Sequence, residues 1–112
     1  MRSLDRHTEK LLAEHRRRID EIDDRIVRLL AERFDVVRDV ARLKAAHRIP
    51  ARLPERIEEV CARNSDQGAR QGIDPKFLRQ LYSQIIDASC SLEDELIAGG
   101  EEGGKPLSAS RR

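Results

Sequence analysis

The longest apolar pattern of the chain lies in its first half. Apolar residues there recur at intervals of three and four positions, the repeat that places side chains on one face of an α-helix. No glycine or proline precedes Pro50, so the pattern predicts one helix that begins between Leu4 and Leu11 and runs to about His47. The apolar stripe of this helix consists of Ile19, Ile22, Ile26, Leu29, Leu30, Val36, Val37 and Val40.

A second helix is predicted after a break. The segment HRIPARLP carries two prolines close together and ends the first helix. The next helix begins near Pro54, because proline suits the first helical turn. Its short apolar face is formed by Ile57, Val60 and Cys61, and the helix fades in the turn-rich segment NSDQGARQG.

A third helix follows, with Asp74 as its N-cap and Pro75 at its first helical position. Its apolar positions continue until Gly99–Gly100, where we expect it to stop. The segment EEGGKPLSASRR has almost no apolar content to order it, so the pattern predicts a helical domain over residues 1–98 and a disordered tail over residues 99–112. Strand-like alternation is absent from the sequence, which predicts an all-α protein of three helices.

The first helix is too long for one small domain. About 40 residues at 1.5 Å each make a rod of roughly 60 Å, whereas a compact domain of this size measures roughly 35 Å across. The apolar stripe continues along most of the rod, so the two shorter helices of the same chain can cover only part of it. The pattern therefore predicts an intertwined homodimer whose long helices pack against each other.

Composition narrows the class of protein. The chain has 112 residues, the size of one domain, with 22 basic and 21 acidic residues and a net charge of +1. Basic and acidic residues are interleaved and aromatics are few, which argues against a nucleic-acid partner. No apolar run is long enough to span a bilayer, and the N-terminus lacks a hydrophobic signal core. We therefore expect no membrane partner and a cytoplasmic location.

The cysteines and histidines do not predict a metal site. Cys61 and Cys90 have no metal-type spacing and sit among apolar residues at helical spacing, so we expect small core residues. The three histidines form no ligand pair with a third partner.

Two cations interrupt the apolar stripe of the first helix. Arg33 and Lys44 lie 11 residues apart, close to three turns, so they project from one face about 16 Å apart. A core does not accept unpaired cations, and side chains that lean towards each other could grip the two ends of one small anion. Arg16 points about 100° away from Arg33 and would enter the partner's pocket in a dimer of antiparallel rods.

The other two helices also offer polar groups to such a site. Arg56 on the second helix could close it, and Ser89 and Glu93 form an i,i+4 pair on the inner face of the third helix. An alternative remains open from the residue types alone. In it, the cations of the stripe extend to solvent, Glu93 pairs with one of them as a structural salt bridge, and the chain is a non-catalytic helical dimer.

One string in the first helix is specific. R-x-x-I-D-x-I-D-x-x-I-x-x-L-L-A-E-R, followed by V-x-x-x-K and then by I-P and an arginine, resembles the all-helical class of chorismate mutases over about residues 10–98. The resemblance implies a three-helix intertwined dimer that rearranges the dicarboxylate chorismate to prephenate. This pericyclic step needs no nucleophile, metal or cofactor, only a held chair-like conformer and cations that stabilise developing negative charge.

The resemblance also implies roles for particular residues. Substrate contacts fall on Arg33, Lys44, Arg56, Ser89 and, given across the dimer interface, Arg16. Many members carry a glutamine beside the ether oxygen of the substrate, and this chain has Glu93 there. The resemblance makes Arg33, Lys44 and Glu93 the expected catalytic residues.

Three positions depart from the usual chorismate mutase pattern. Glu93 replaces the glutamine, Ile57 replaces a glutamate that contacts the C4 hydroxyl, and Leu53 replaces an acidic residue one turn earlier. With the string S-C-S-L-E-D, these changes resemble 4-amino-4-deoxychorismate mutases, which serve antibiotic pathways. We therefore expect an isomerase acting on 4-amino-4-deoxychorismate or on chorismate. The string P-E-R-[VI] also occurs in isochorismate pyruvate lyases, which form the alternative.

Overall fold

The computed structural model describes residues 5–103, and of residues 100–103 the backbone only. Three helices follow one another: α1 over Arg6–His47, α2 over Pro54–Arg70 and α3 over Pro75–Gly103. The described residues contain no strand. The prediction of an all-α chain with one very long first helix and two shorter ones is confirmed. The chain divides into two units, Met1–Phe34 and Asp35–Arg112.

A side-chain cap fixes the beginning of α1. Asp5 accepts a hydrogen bond from the backbone N–H of Thr8 on its Oδ1 atom at 2.7 Å, the geometry of an N-cap residue. The hydrogen bonds from Thr8 lower the pKa of the Asp5 carboxyl below its ordinary value. The sequence pattern had bracketed this start between Leu4 and Leu11, and the cap places it at Arg6.

Most of the part of α1 within the first unit is exposed, and only Thr8, Leu30, Arg33 and Phe34 are half-buried there. Arg17 pairs with Glu14 and Glu21 along its polar side, at the i,i+3 and i,i+4 spacings that bring helical side chains together. The apolar side is also exposed, with Ile19 at 56%, Ile22 at 44%, Ile26 at 50% and Leu29 at 61% of their full accessibility. This unit therefore has an apolar stripe that stays accessible within the single chain.

The connector between α1 and α2, residues 48–53, ends the first helix as the two prolines predict. Arg48 adopts a positive φ of 56°, and the N–H of Ile49 donates to the carbonyl of Lys44 at 2.8 Å. A left-handed residue at this place is the usual way in which an α-helix terminates. Ala51 is buried, and α2 begins at Pro54 with Leu53 in extended conformation at its N-cap.

The predicted fading of α2 within NSDQGARQG is wrong. The helix continues to Arg70, and only Gln71 and Gly72 form the turn. Two polar side chains in this segment bond to carbonyls of the preceding turn: Asn64 donates to Val60 and Ser65 donates to Ala62. Such bonds allow polar residues to remain in a helix, so a turn-like composition does not by itself break one.

Helix α3 begins as predicted and ends later. The Oδ1 atom of Asp74 accepts the N–H of Lys76 at 3.0 Å, which confirms the N-cap ahead of Pro75. The predicted stop at Gly99–Gly100 is wrong, because the helix continues to Gly103. Gly99 does not adopt the positive φ of a helix-ending glycine, and glycines with helical φ weaken a helix without terminating it. The rest of the predicted tail, residues 104–112, lies outside the described residues.

The core of the second unit is small and is shared by α2 and α3. Val60 and Cys61 from α2 meet Ile86 and Cys90 from α3, and Ile57 and Tyr82 pack against this cluster. Both cysteines are buried and unbridged, which confirms their prediction as small core residues. Burial raises the pKa of the Cys90 thiol.

Candidate functional site

A buried ion pair joins the end of α1 to α3. The Nζ atom of Lys44 lies 2.8 Å from Oε1 of Glu93, with the two side chains exposed by only 13% and 8%. The two residues are 49 positions apart in sequence, so the contact is a product of the fold. Both partners are among the three residues expected to be catalytic, which are Arg33, Lys44 and Glu93.

A backbone carbonyl completes the surroundings of Lys44. The same Nζ atom donates to the carbonyl oxygen of Ala51 at 2.8 Å. The thiol of Cys90 also donates to this carbonyl, across 3.9 Å, a long and weak contact. An ammonium group has three donors, and the bonds from Lys44 to Glu93 and to Ala51 use two of them. The arrangement can therefore hold the ammonium in place and still offer a donor to an anion.

Ser89 lies one turn before Glu93 on α3 and is buried, with 5% of its surface exposed. Its hydroxyl donates to the carbonyl of Ile85 at 2.9 Å. The prediction that Ser89 and Glu93 share the inner face of α3 is confirmed by the burial of both.

Arg16 and Arg33 belong to the first unit of the chain, whereas Lys44 and Glu93 belong to the second. Arg16 is exposed and pairs with Glu9, its Nη1 atom lying 3.1 Å from Oε1. Arg33 is half-buried. Their roles as substrate ligands stay predictions.

Three of the predicted site residues lie on α2 or at its N-cap. Arg56 points to solvent with 64% of its side chain exposed and pairs with Glu59 on its own helix at 2.8 Å. Ile57 packs against the core cluster, and Leu53 is half-buried. The structure therefore brings Lys44 and Glu93 together, with Ser89 buried one turn before Glu93 on α3. The expected closure by Arg56 stays a prediction.

The structure also shows contacts of Lys44 and of the connector that the sequence pattern does not predict. The Ala51 carbonyl has no sequence signal, because every residue carries one. Arg52 pairs with Asp87 on α3 at 2.8 Å, and the hydrogen bond that it donates to this carboxylate raises the pKa of Arg52. An arginine and an aspartate 35 positions apart give no periodic signal that would have linked them.

Comparison with known proteins identifies the family. A family model described as chorismate mutase type II matches residues 15–94. The chain belongs to the chorismate mutase type II family. The predicted resemblance to this family is confirmed, and the matched region contains Lys44, Glu93 and Ser89.

Three relatives illustrate the range of the family. A 4-amino-4-deoxychorismate mutase from Streptomyces pristinaespiralis is 40% identical over 85 residues, which cover 76% of this chain and 66% of the relative. A chorismate mutase from Methanocaldococcus jannaschii is 31% identical over 77% of this chain and 87% of the relative. An isochorismate pyruvate lyase from Pseudomonas aeruginosa is 38% identical over 67% of this chain and 73% of the relative. The match to the first spans just under two thirds of that protein's length.

Together with the chorismate mutase family model, the first two relatives support the mutase function over the lyase alternative. Within the described part of the chain, no helix combines the length and apolar character required to cross a membrane. The same residues contain no group of three or more His, Cys, Asp or Glu side chains placed to hold a metal ion.

Proposed function

We propose that this chorismate mutase homologue catalyses the [3,3]-sigmatropic rearrangement of 4-amino-4-deoxychorismate to 4-amino-4-deoxyprephenate, with chorismate as the second candidate substrate. The observation that carries the proposal is the buried ion pair of Lys44 and Glu93. It supplies a cation and a carboxylate side by side, whereas a site for chorismate alone needs donors at the ether oxygen and no buried carboxylate.

Lys44 acts on the breaking bond in this proposal. Negative charge develops on the ether oxygen as its C–O bond breaks, and a held ammonium stabilises that charge more in the transition state than in the ground state. The hydrogen bond to Ala51 keeps the ammonium from reorienting, so its stabilisation costs no rearrangement during the reaction.

Glu93 recognises the substituent at C4 of the substrate in this proposal. The C4 position is adjacent to the carbon that carries the ether oxygen, and an amine there is cationic at neutral pH. A carboxylate accepts several hydrogen bonds, so Glu93 can accept from the substrate ammonium while it pairs with Lys44. Two cations around one carboxylate leave a charge of +1, which offsets one of the two carboxylates of the substrate.

The departures at Ile57 and Leu53 support the same substrate. Ile57 packs against the core cluster, so its side chain contributes apolar contact where many chorismate mutases have a glutamate for the C4 hydroxyl. Leu53 likewise offers no hydrogen-bonding group. In our proposal both residues line the substrate, and recognition of the C4 group passes to Glu93.

The remaining site residues bind the substrate carboxylates in this proposal. Arg33 and Arg56 supply guanidinium groups, whose planar donor pairs match a carboxylate. Ser89 turns its one O–H donor from the Ile85 carbonyl to the substrate. Arg16 enters from a second copy of the chain. These assignments rest on the family motif and on the helical spacing of the residues.

A homodimer is part of the proposal. The exposed isoleucines of the apolar stripe, Ile19, Ile22 and Ile26, are the support for it, because a second long helix packed along them would remove their surface from water. Residues 1–98 form the proposed catalytic domain, and the family match over residues 15–94 lies within it.

The first experiment is to incubate the purified protein separately with 4-amino-4-deoxychorismate, chorismate and isochorismate and to separate the products by chromatography. We expect rapid formation of 4-amino-4-deoxyprephenate and slower formation of prephenate. Prephenate as the faster product would make the protein a chorismate mutase and would remove the proposed role of Glu93 towards an amine. Pyruvate and salicylate from isochorismate alone would favour the lyase. No turnover of any substrate would favour the non-catalytic helical dimer.

A further inference from the structure

The connector of residues 48–53 is held against α3 by two contacts. Arg52 donates from its Nη2 atom to Oδ1 of Asp87 at 2.8 Å, and the Cys90 thiol donates to the carbonyl of Ala51 at 3.9 Å. Asp87 and Cys90 lie about one helical turn apart on α3. The connector is therefore attached to the helix that also carries Glu93.

The same connector contacts both the side chain and the backbone of Lys44. Its ammonium donates to the Ala51 carbonyl at 2.8 Å, and its backbone carbonyl accepts the N–H of Ile49 at 2.8 Å. A shift of the connector relative to α3 would therefore move the ammonium relative to Glu93. Reactions that depend on placed charges are sensitive to displacements of this kind.

We propose that Arg52 and Asp87 are positioning residues for Lys44, acting through the Ala51 carbonyl. The inference rests on the proposed function, in which Lys44 stabilises the developing charge of the substrate. Arg52 immediately follows Ala51 in the chain, so its ion pair to α3 constrains the peptide that carries the carbonyl. Their effect on the reaction passes through the connector.

The competing explanation is that the pair affects only the stability of the fold. The exposure of both side chains argues against it. The side chains of Arg52 and Asp87 are 53% and 61% exposed. Ion pairs with such exposure contribute little to the free energy of unfolding. A marked loss of turnover on breaking the pair would therefore report placement of Lys44.

The chain offers a matched control in Glu58 and Arg79. This pair also joins two helices, α2 and α3, through two hydrogen bonds of 3.1 Å each. Its side chains are 67% and 47% exposed, close to the values of Arg52 and Asp87. Neither partner belongs to the connector or to the proposed site.

The experiment compares Asp87→Ala with Glu58→Ala in the full chain, on the substrate that the wild-type protein turns over fastest. We expect Asp87→Ala to lower kcat about three- to tenfold with KM changed less than about twofold, because ground-state binding is left intact. The exchanged pair Arg52→Asp with Asp87→Arg restores most of kcat, and Glu58→Ala leaves kcat unchanged. Hydrogen–deuterium exchange of the connector rises in Asp87→Ala alone.

Three outcomes overturn the inference. These are wild-type kcat in Asp87→Ala, an equal loss of kcat in Glu58→Ala, and failure of the exchanged pair to recover kcat although circular dichroism shows a folded protein. Wild-type protein inactive on all three substrates would overturn the proposed function together with this inference. An active wild type with an indifferent Asp87→Ala would overturn the inference alone.

Discussion

Lys44 and Glu93 show how two residues of opposite charge become acceptable in a protein interior. Each side chain is almost fully buried, and each satisfies the other at 2.8 Å. Removal of one partner leaves an uncompensated charge, which costs far more than the pair itself contributes. Such a pair is consequently a sensitive place to separate a structural role from a catalytic one.

Replacement of the stripe cations tests the reaction type. Arg33→Ala and Lys44→Ala should each lower kcat/KM by about 10²-fold or more, the scale of a lost transition-state donor. The matched control is Arg42→Ala, which removes a cation of the same helix that is 46% exposed and pairs with Asp39. Steady-state kinetics measure the effect, and near-native turnover in both site variants would place the pocket elsewhere.

Lys44→Ala also has a predicted cost in stability. The loss of Lys44 leaves Glu93 buried beside an alanine, and we expect the free energy of unfolding to fall by about 3 kcal/mol. Addition of Glu93→Gln to this variant should recover part of the loss, because the amide is neutral. Urea denaturation of the two variants measures the recovery and separates it from the loss of activity.

Glu93→Gln tests the recognition of the substituent at C4. The amide can donate to the ether oxygen but no longer offers a charged acceptor to an ammonium. We expect the ratio of kcat/KM for 4-amino-4-deoxychorismate to that for chorismate to fall by about tenfold, the difference between a charged and a neutral hydrogen bond. If the ratio of kcat/KM values is unchanged, Glu93 does not recognise the C4 group.

At the scale of the elements, α2 and α3 pack through a close approach at Gly68. A Cβ atom built on Gly68 would lie 1.7 Å from Cδ1 of Leu78, so no larger residue fits without movement of that side chain. The helix accepts a glycine in its interior for this reason, although glycine weakens helices. The polar residues around it made the segment resemble a loop in the sequence.

Gly68→Ala should therefore destabilise the protein despite the higher helix propensity of alanine. Overpacking costs about 1–3 kcal/mol, and the gain in propensity recovers about 1 kcal/mol at most. Gly99→Ala is the matched control, because a Cβ there meets nothing within 4 Å and should stabilise α3. Thermal unfolding followed by circular dichroism measures both, and equal shifts of Tm in the two variants would contradict the packing argument.

The ion pair between α2 and α3 predicts a pH dependence. Hydrogen bonds from Arg79 lower the pKa of Glu58 below its ordinary value of 4.5. The folded state thus holds the proton less tightly than the unfolded state, so this pair stabilises the fold above the ordinary carboxylate range. The contribution disappears as the pH falls through the lowered pKa. Wild type should be more stable than Glu58→Gln at neutral pH and equal to it in acid.

At the scale of the whole molecule, the proposed dimer is the decisive question, because Arg16 is assigned to the partner's site. In a two-fold dimer of an Arg16→Ala chain with an Arg33→Ala chain, one of the two sites holds both arginines and the other holds neither. Random reassociation of equal amounts gives half such mixed dimers, so we expect about a quarter of wild-type activity to return.

The measurement is activity after the two inactive variants are unfolded together and refolded. Each variant refolded alone is the control and should remain inactive. Activity regained only in the mixture would support a site shared between chains. No regain in a mixture that sedimentation shows to be dimeric would contradict the assignment of Arg16 to the partner.

The sequence by itself determined the helical class, the places where helices begin and the two polar residues of the inner face of α3. These follow from local causes: a period of 3.6, a proline at the first turn, and Asp74 as a cap. The ends of α2 and α3 did not follow, because glycines and polar residues remain helical when packing or open space permits.

Only the tertiary structure decided how the charges are paired. The bond between Lys44 and Glu93 joins residues on different helices, and the Ala51 carbonyl that fixes Lys44 is a backbone atom without a sequence signature. The pairing of Arg52 with Asp87 depends on where the connector crosses α3. Periodicity predicts which face of a helix a residue occupies, whereas partners across helices depend on the packing of one element against another.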